Sequence, residues 1–234
     1  MPDYFSPRTR MIFAWACFGV HAFALLAVLL ALQPGIPPGD IATRAAYVAR
    51  NALAWQIGWA LWLPASLALV LFHAGLADAL KARAWGWLAV GITLAGAVID
   101  WVDEMVWIGL APGLAAQFAS DAFAAGAYAL WDRAYVVLSI GLANGLYTIG
   151  GLILVALAYR SREFPRWLAR GGAVVWALSI ALSVAAILGD GVMIQVVSAL
   201  VFAAFMPWLF FTGLHLGHLR LSFAHFRLRV DKTP

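Results

Sequence analysis

Charge is what this chain has least of. Only 11% of its 234 residues are Asp, Glu, Lys or Arg, against about a quarter in soluble domains. That scarcity excludes a soluble helical protein, whose helices need polar faces. Several apolar runs also exceed the roughly 18 residues that mark a membrane-spanning helix. Cysteine is nearly absent too. The single Cys17 permits no internal disulfide and leaves the redox compartment open. There is no phosphate-binding glycine loop, nucleophile elbow, Cys-x-x-Cys pair or nucleic-acid module. No catalytic residue and no cofactor are therefore expected, and nucleic acid is not an expected partner.

What the chain has instead is apolar length: 65% of its residues are hydrophobic. The apolar runs predict an all-α, polytopic membrane protein, a bundle of six transmembrane helices forming one domain over residues 1–234. The expected spans are roughly 11–32, 52–76, 84–110, 134–159, 171–189 and 192–218. The apolar core of the first is longer than the roughly 7–15 residues of a signal peptide, so it is read as a helix. Pro64 in "LWLPASLAL" is expected to interrupt the second span.

The basic residues set the orientation. Arg8, Arg10, Lys81, Arg83, Arg160, Arg162, Arg166, Arg170, Arg220, Arg227, Arg229 and Lys232 flank one side of the predicted bundle, and only Arg44, Arg50 and Arg133 the other. Twelve against three places both termini in the cytoplasm of a cell inner membrane, with lipid head groups as partners of the basic ends. The outer connection "APGLAAQFASDAFAAGAYALWDR" reads as a short amphipathic helix on the surface, an interfacial linker or a lid.

A first span, "PGD" at 38–40, a Trp-rich second span and "FPRWLA" at 164–169 together resemble a family of bacterial six-helix membrane proteins of unknown function. The resemblance implies the same six-helix layout and a bacterial inner membrane. It implies no activity.

Depth sorts the polar residues. Counted from Ala84, Asp100 lies about 24 Å up the third span, about one turn below the outer surface. Asp103 and Glu104 are expected at that surface, wetted. Residues 100, 103, 104 and 107 share a helical face, so the three carboxylates form one acidic patch. One reading clamps it with Arg44, Arg50 or Arg133, with Gln56 as an alternative partner of Asp100. The other makes it a proton- or cation-binding site. His21 and Asn144 each fall about 15 Å into their spans, counted from Met11 and Ala134, with Tyr147 and Thr148 one turn beyond Asn144. A hydrogen bond from His21 to Asn144 or Tyr147 is the expected pairing. Trp55, Trp59 and Trp62 form a stripe that suits packing, or an apolar or cationic ligand if it faces inward. "GLANG" sets Gly141 and Gly145 four apart, for close packing within the bundle or between subunits.

The third cluster lies at the cytoplasmic end: His73 and Asp78 near the end of the second span, His215, His218, Ser222 and His225 along the sixth. Helical histidines three apart can share zinc. In this the chain resembles intramembrane zinc amidases of the alkaline ceramidase type, which implies a metal-dependent lipid hydrolase. It differs from them in having six spans rather than seven and a shorter gap between the histidines. The reading preferred over a metal site at His73, His215 and His218 is interfacial histidines near lipid phosphates. The function expected from these residues is an outward-facing, Trp-lined polar cavity that binds or passes a small solute, proton or lipid-like ligand. An accessory subunit of a larger membrane complex, or a homo-oligomer, is the alternative.

Overall fold

A computed structural model describes residues 4–81 and 83–230, with backbone alone for 218–230. Among the described residues the regular elements are all helical. They are α1 (Pro7–Ala27), which continues through a π-helical turn (Val28–Leu32) and a 3-10 turn (Gln33–Gly35); α2 (Ile41–Arg50); α3 (Ala52–Ala60); and α4 (Leu63–Ala79). There follow α5 (Arg83–Gln117); α6 (Ala122–Tyr135), which runs through a π-helical stretch (Val136–Ala143) into α7 (Asn144–Arg160); α8 (Arg166–Leu188); and α9 (Gly191–Val230).

Six segments are long and apolar enough to cross a membrane: Pro7–Gly35, Ala52–Ala79, Arg83–Gln117, Ala122–Arg160, Arg166–Leu188 and Gly191–Gly217. The fold is an all-α, six-helix membrane bundle. Each span packs on its neighbours in sequence, and the sixth closes on the first, so the spans form an up-and-down ring.

Helix ends follow local chemistry. The Ser6 hydroxyl accepts the Thr9 N–H at 3.1 Å, with Pro7 opening α1. Asp40 caps α2, accepting the Thr43 N–H at 2.9 Å and its hydroxyl at 3.0 Å. These two bonds, the backbone one first, hold the Asp40 carboxyl below the usual carboxylate range. The cap is therefore intact at neutral pH and is lost as the pH falls through the lowered pKa of Asp40. α8 ends on Gly189 at φ 78°, a left-handed position that favours glycine. Pro64 splits the second span as expected, with the break at Leu61–Trp62.

Two spans differ from their predicted extents. The third runs 35 residues and the fourth 39, so at about 1.5 Å per residue each exceeds the roughly 30 Å hydrocarbon core. The alanine-rich outer connection does not lie on the surface as a separate amphipathic helix. Its halves extend α5 upward and supply α6, joined by a short turn at Phe118–Asp121. α2 and α6 both pack on this outer part of α5.

A buried ion pair ties down each end of the ring. Asp78 accepts Nε of Arg10 at 2.9 Å, lies 2.8 Å from its Nη2 as an ion pair, and accepts the backbone N–H groups of Tyr4 and Phe5 at 3.0 Å. At the other end Arg44 grips Asp132 bidentately at 2.6 and 2.8 Å, joining α2 to α6. In the middle, the Trp176 ring occupies the place where a side chain at Gly151 would begin, so the fourth and fifth spans approach closely. Gly141 and Gly145 also face the fifth span, at Ala186 and Ser183. Their spacing thus serves packing within the bundle. Trp85 and Trp167 are exposed near the basic connections, as interfacial anchors are.

The Arg44–Asp132 pair gives a direct test. Asp132→Ala leaves a buried guanidinium without its counter-charge, which costs about 3–5 kcal/mol. The melting temperature in mild detergent is expected to fall clearly. Thr43→Ala, at the exposed cap, is expected to change it far less.

Candidate functional site

The interior stripe of α5 reads Gly86, Ala89, Thr93, Gly96, Ala97, Asp103, Glu104, Trp107, Ala111 and Ala115, all buried. It has helical periodicity, with small residues at both ends and the two acids and an indole between them. The carboxylates therefore face inward. Asp103 and Glu104 are 3% and 2% exposed, not wetted as expected. The reason is tertiary: α2 and α6 pack over the outer part of α5 and remove from water a surface that depth alone placed at the rim. Neither oxygen of Asp103, nor Oε2 of Glu104, makes a hydrogen bond among the described residues.

Asp100 does have partners, but not the expected ones. One oxygen accepts the Ser139 hydroxyl and the other the Tyr147 hydroxyl at 3.1 Å. None of the outer arginines reaches it. Arg44 is taken by Asp132 and also donates to the Gly39 carbonyl at 3.2 Å. Arg133 caps the open end of α8, donating to the carbonyls of Ala186 and Ile187 at 2.9 and 2.7 Å, where a cation also meets the helix dipole. Arg50 is exposed in the last turn of α2.

Gln56 has a different task as well. Pro112 has no N–H to give the Ile108 carbonyl one turn below, and the Gln56 amide donates to that carbonyl at 3.2 Å. Tyr47 does the same for the first span, its hydroxyl donating to the Ala31 carbonyl inside the π-helical turn at 2.6 Å.

His21 points inward, but its Nδ1 bonds the Cys17 carbonyl of its own helix at 2.8 Å rather than Asn144 or Tyr147. A carbonyl only accepts, so Nδ1 carries the hydrogen, and Nε2 is the acceptor of the neutral ring. Trp62 and Phe205 stand edge-on to the imidazole at 6.4 and 5.2 Å. Asn144 crosses instead to the fifth span, donating to the Ser179 carbonyl and the Ser183 hydroxyl at 2.9 Å.

These groups surround a cavity of about 410 Å³ inside the ring, lined from all six spans. His21, Asp100, Glu104, Asn144 and Tyr147 face it, as do Trp59 and Trp62. Asp103, Gln56 and the three outer arginines do not. Both π-helical stretches contribute to its wall, through Val28 and Leu29 and through Ser139 and Ile140. Such stretches are frequent at functional sites. Ile36 and Pro37 line its outer end, and Pro37 and Pro38 lie against Gly191. The first outer connection is the cover. The second, which the sequence offered as a lid, contributes no lining residue.

The Trp stripe faces inward. Trp59 packs on Trp55 at 5.6 Å and on Tyr135 at 4.8 Å, and Trp107 stacks on Tyr135 at 6.1 Å. The indole N–H groups of Trp59, Trp62 and Trp176 are buried and bond nothing among the described residues. Sequence reasoning missed Tyr135, Ser139 and Trp176 in this site and Asp132 as the partner of Arg44. Ser139 did leave a signal, as a lone hydroxyl in the apolar run "VVLSIGLA".

Of the third histidine cluster, the side chains of His73 and His215 are described, and they have different surroundings. His73 is interior, its Nδ1 2.8 Å from the Thr93 hydroxyl and its ring edge-on to Trp176 at 5.5 Å. His215 packs against Phe164 at 5.3 Å. The side chains of His218, Ser222 and His225 lie outside the described residues. Among the described residues no group of three His, Cys, Asp or Glu is placed to hold a metal.

No family profile matches the chain, and neither a curated protein nor a solved structure matches it significantly. The geometry alone carries the functional reading.

The Asp100 hydrogen bonds can be tested by a double-mutant cycle. Tyr147→Phe removes one donor and is expected to cost about 1–3 kcal/mol, because a carboxylate oxygen loses its partner. In an Asp100→Asn background the same change is expected to cost measurably less. Strictly additive losses in melting experiments would show that the two side chains do not interact.

Proposed function

We propose that this protein binds a small or lipid-like molecule within its ring of six helices, by non-covalent contact. The observation that carries this reading is the cavity itself. Its volume of about 410 Å³ falls in the range of roughly 300–1,000 Å³ typical of ligand pockets. Its wall is apolar and aromatic with a few polar groups, and some of those have no hydrogen-bond partner among the described residues. A bundle evolved only for packing gains nothing from buried indole N–H groups and a Glu104 oxygen that bond no neighbour, since each such group costs free energy.

The placement of the cavity in the membrane follows from charge. The basic residues cluster at the α4–α5 and α7–α8 connections, which the positive-inside rule assigns to the cytoplasm of an inner membrane. With six crossings both termini share that side. The cavity and its Pro37–Pro38 cover then belong to the outer half. The resemblance to bacterial six-helix membrane proteins agrees with this location.

Two measurements test these statements. Native mass spectrometry of the protein purified in mild detergent is expected to release one small molecule or lipid per chain. Ser198→Phe, which adds bulk at the cavity wall, is expected to lower that occupancy at least tenfold while the bundle remains folded. Equal occupancy in both proteins, or none in either, would assign the cavity to packing. For topology, the single native thiol, Cys17, is buried, so added cysteines can be read cleanly. A membrane-impermeant maleimide applied to intact cells is expected to label Ser120→Cys and to spare Glu163→Cys. The reverse pattern would invert the orientation.

A further inference from the structure

The cavity's chemistry is one-sided. Asp100 and Glu104 line it, and among the described residues no Lys or Arg does. Arg44, the buried cation of the outer half, is already paired with Asp132, and Arg133 with the end of α8. An anionic ligand would meet two carboxylates and no positive charge. Beside the acids stand aromatic faces: Trp59 against Tyr135 at 4.8 Å, and Trp62 against His21 and Phe202 at 6.4 and 5.8 Å. Carboxylates together with several ring faces are the recognised means of holding an ammonium group. The acids are more than a cluster of like charges, because the Glu104 side chain is 2% exposed, faces the cavity and has an oxygen that makes no hydrogen bond among the described residues.

The cavity also has an open side. Leu29 in the first span and Gln195 and Ala199 in the sixth line it, and the same three residues are exposed. Leu29 is 60% exposed. Elsewhere the wall is made largely of buried side chains such as Trp59, Leu69 and Val175. The seam lies in the part of the first span where the helix widens into its π turn, along a lipid-facing surface. A ligand taking this route comes from the bilayer.

We propose that the seam between Leu29 and Ala199 is a lateral port. Through it the cavity receives the ammonium head of a membrane amphiphile, with Asp100 and Glu104 as its counter-charges and Trp59, Trp62 and Tyr135 around it. The hydrocarbon chain trails through the port along Leu29 and Ala199 into the lipid. This rests on the reading of the cavity as a ligand site and specifies the chemical class of the ligand.

The test uses the full-length protein in maltoside micelles, with tryptophan fluorescence and melting temperature as readouts. The probes are dodecyltrimethylammonium below its micellar concentration, dodecanol and tetramethylammonium. Dodecyltrimethylammonium is expected to give a saturable fluorescence change and a raised melting temperature. Glu104→Gln, isosteric and uncharged, is expected to weaken its binding at least tenfold. Asp100→Asn, whose amide oxygen still accepts one of the two hydroxyl bonds while its NH2 group donates, is expected to weaken it in the same sense. Ala199→Trp, at an exposed site, is expected to slow its association at least tenfold. Dodecanol binding as tightly, with no effect of either acid variant, would overturn the ammonium head and leave the ligand site standing. Tetramethylammonium binding as tightly, with Ala199→Trp without effect, would overturn the port. No saturable response to any of the three would overturn the proposal. The ligand-site reading would fail with it only if native mass spectrometry also found nothing bound.

Discussion

Hydrocarbon offers no hydrogen bonds, so every polar group inside this bundle must be satisfied by another part of the protein or stay unpaired at a cost. That constraint assigns most of the interior side chains. Gln56 serves the carbonyl left without an N–H by Pro112, Tyr47 serves the π turn of the first span, and Arg133 serves the end of α8. Trp208 donates to the Leu168 carbonyl at 3.0 Å, and Trp101 reaches the Leu63 carbonyl at the break before Pro64 at 2.6 Å. Irregular backbone is tolerated in each place because a side chain from another span completes it. The spans are held in register by these bonds as well as by their apolar faces.

Against that background the unpaired groups stand out. Among the described residues, many of them fall around Asp103, Glu104 and the indoles of Trp55, Trp59, Trp62 and Trp107. Two ion pairs flank this region without entering it. Arg10–Asp78 fastens the amino-terminal segment to the second span, and Arg44–Asp132 fastens α2 to α6. The second pair occupies Arg44, the buried cation of the end at which the inner carboxylates lie. Asp100, with two hydroxyl donors, is the best satisfied of the three acids, and Glu104 retains a free oxygen. The outer clamp and the inner acids thus have separate tasks: one closes the structure, the other gives the cavity its sign.

The helical irregularities belong to the same picture. A regular α-helix presents a new face every turn, and a ring of six such helices would tend to fill its own centre with side chains. The π-helical stretches at Val28–Leu32 and Val136–Ala143 shift the faces that follow them. Ser139, inside the second stretch, bonds Asp100, and Leu29, inside the first, lines the cavity. Trp176, wedged where Gly151 has no side chain, and Phe205 close the cavity from below.

The six spans, the break at Pro64 and the inward set of His21, Asn144, Tyr147, Asp100 and the Trp stripe were legible in the sequence. Apolar length and helical periodicity are local properties, and a polar side chain in an apolar run has only the bundle interior to face. Partners were not legible. The sequence suggests an arginine or Gln56 for Asp100, which bonds Ser139 and Tyr147; it suggests Asn144 or Tyr147 for His21, which bonds its own helix. Which residue of one helix meets which of another depends on rotation and stagger, and these are set by packing. The depth of Asp103 and Glu104 failed for a related reason. Counting residues along α5 located the membrane surface, but α2 and α6 fold over that surface, and only the tertiary structure decides what water reaches.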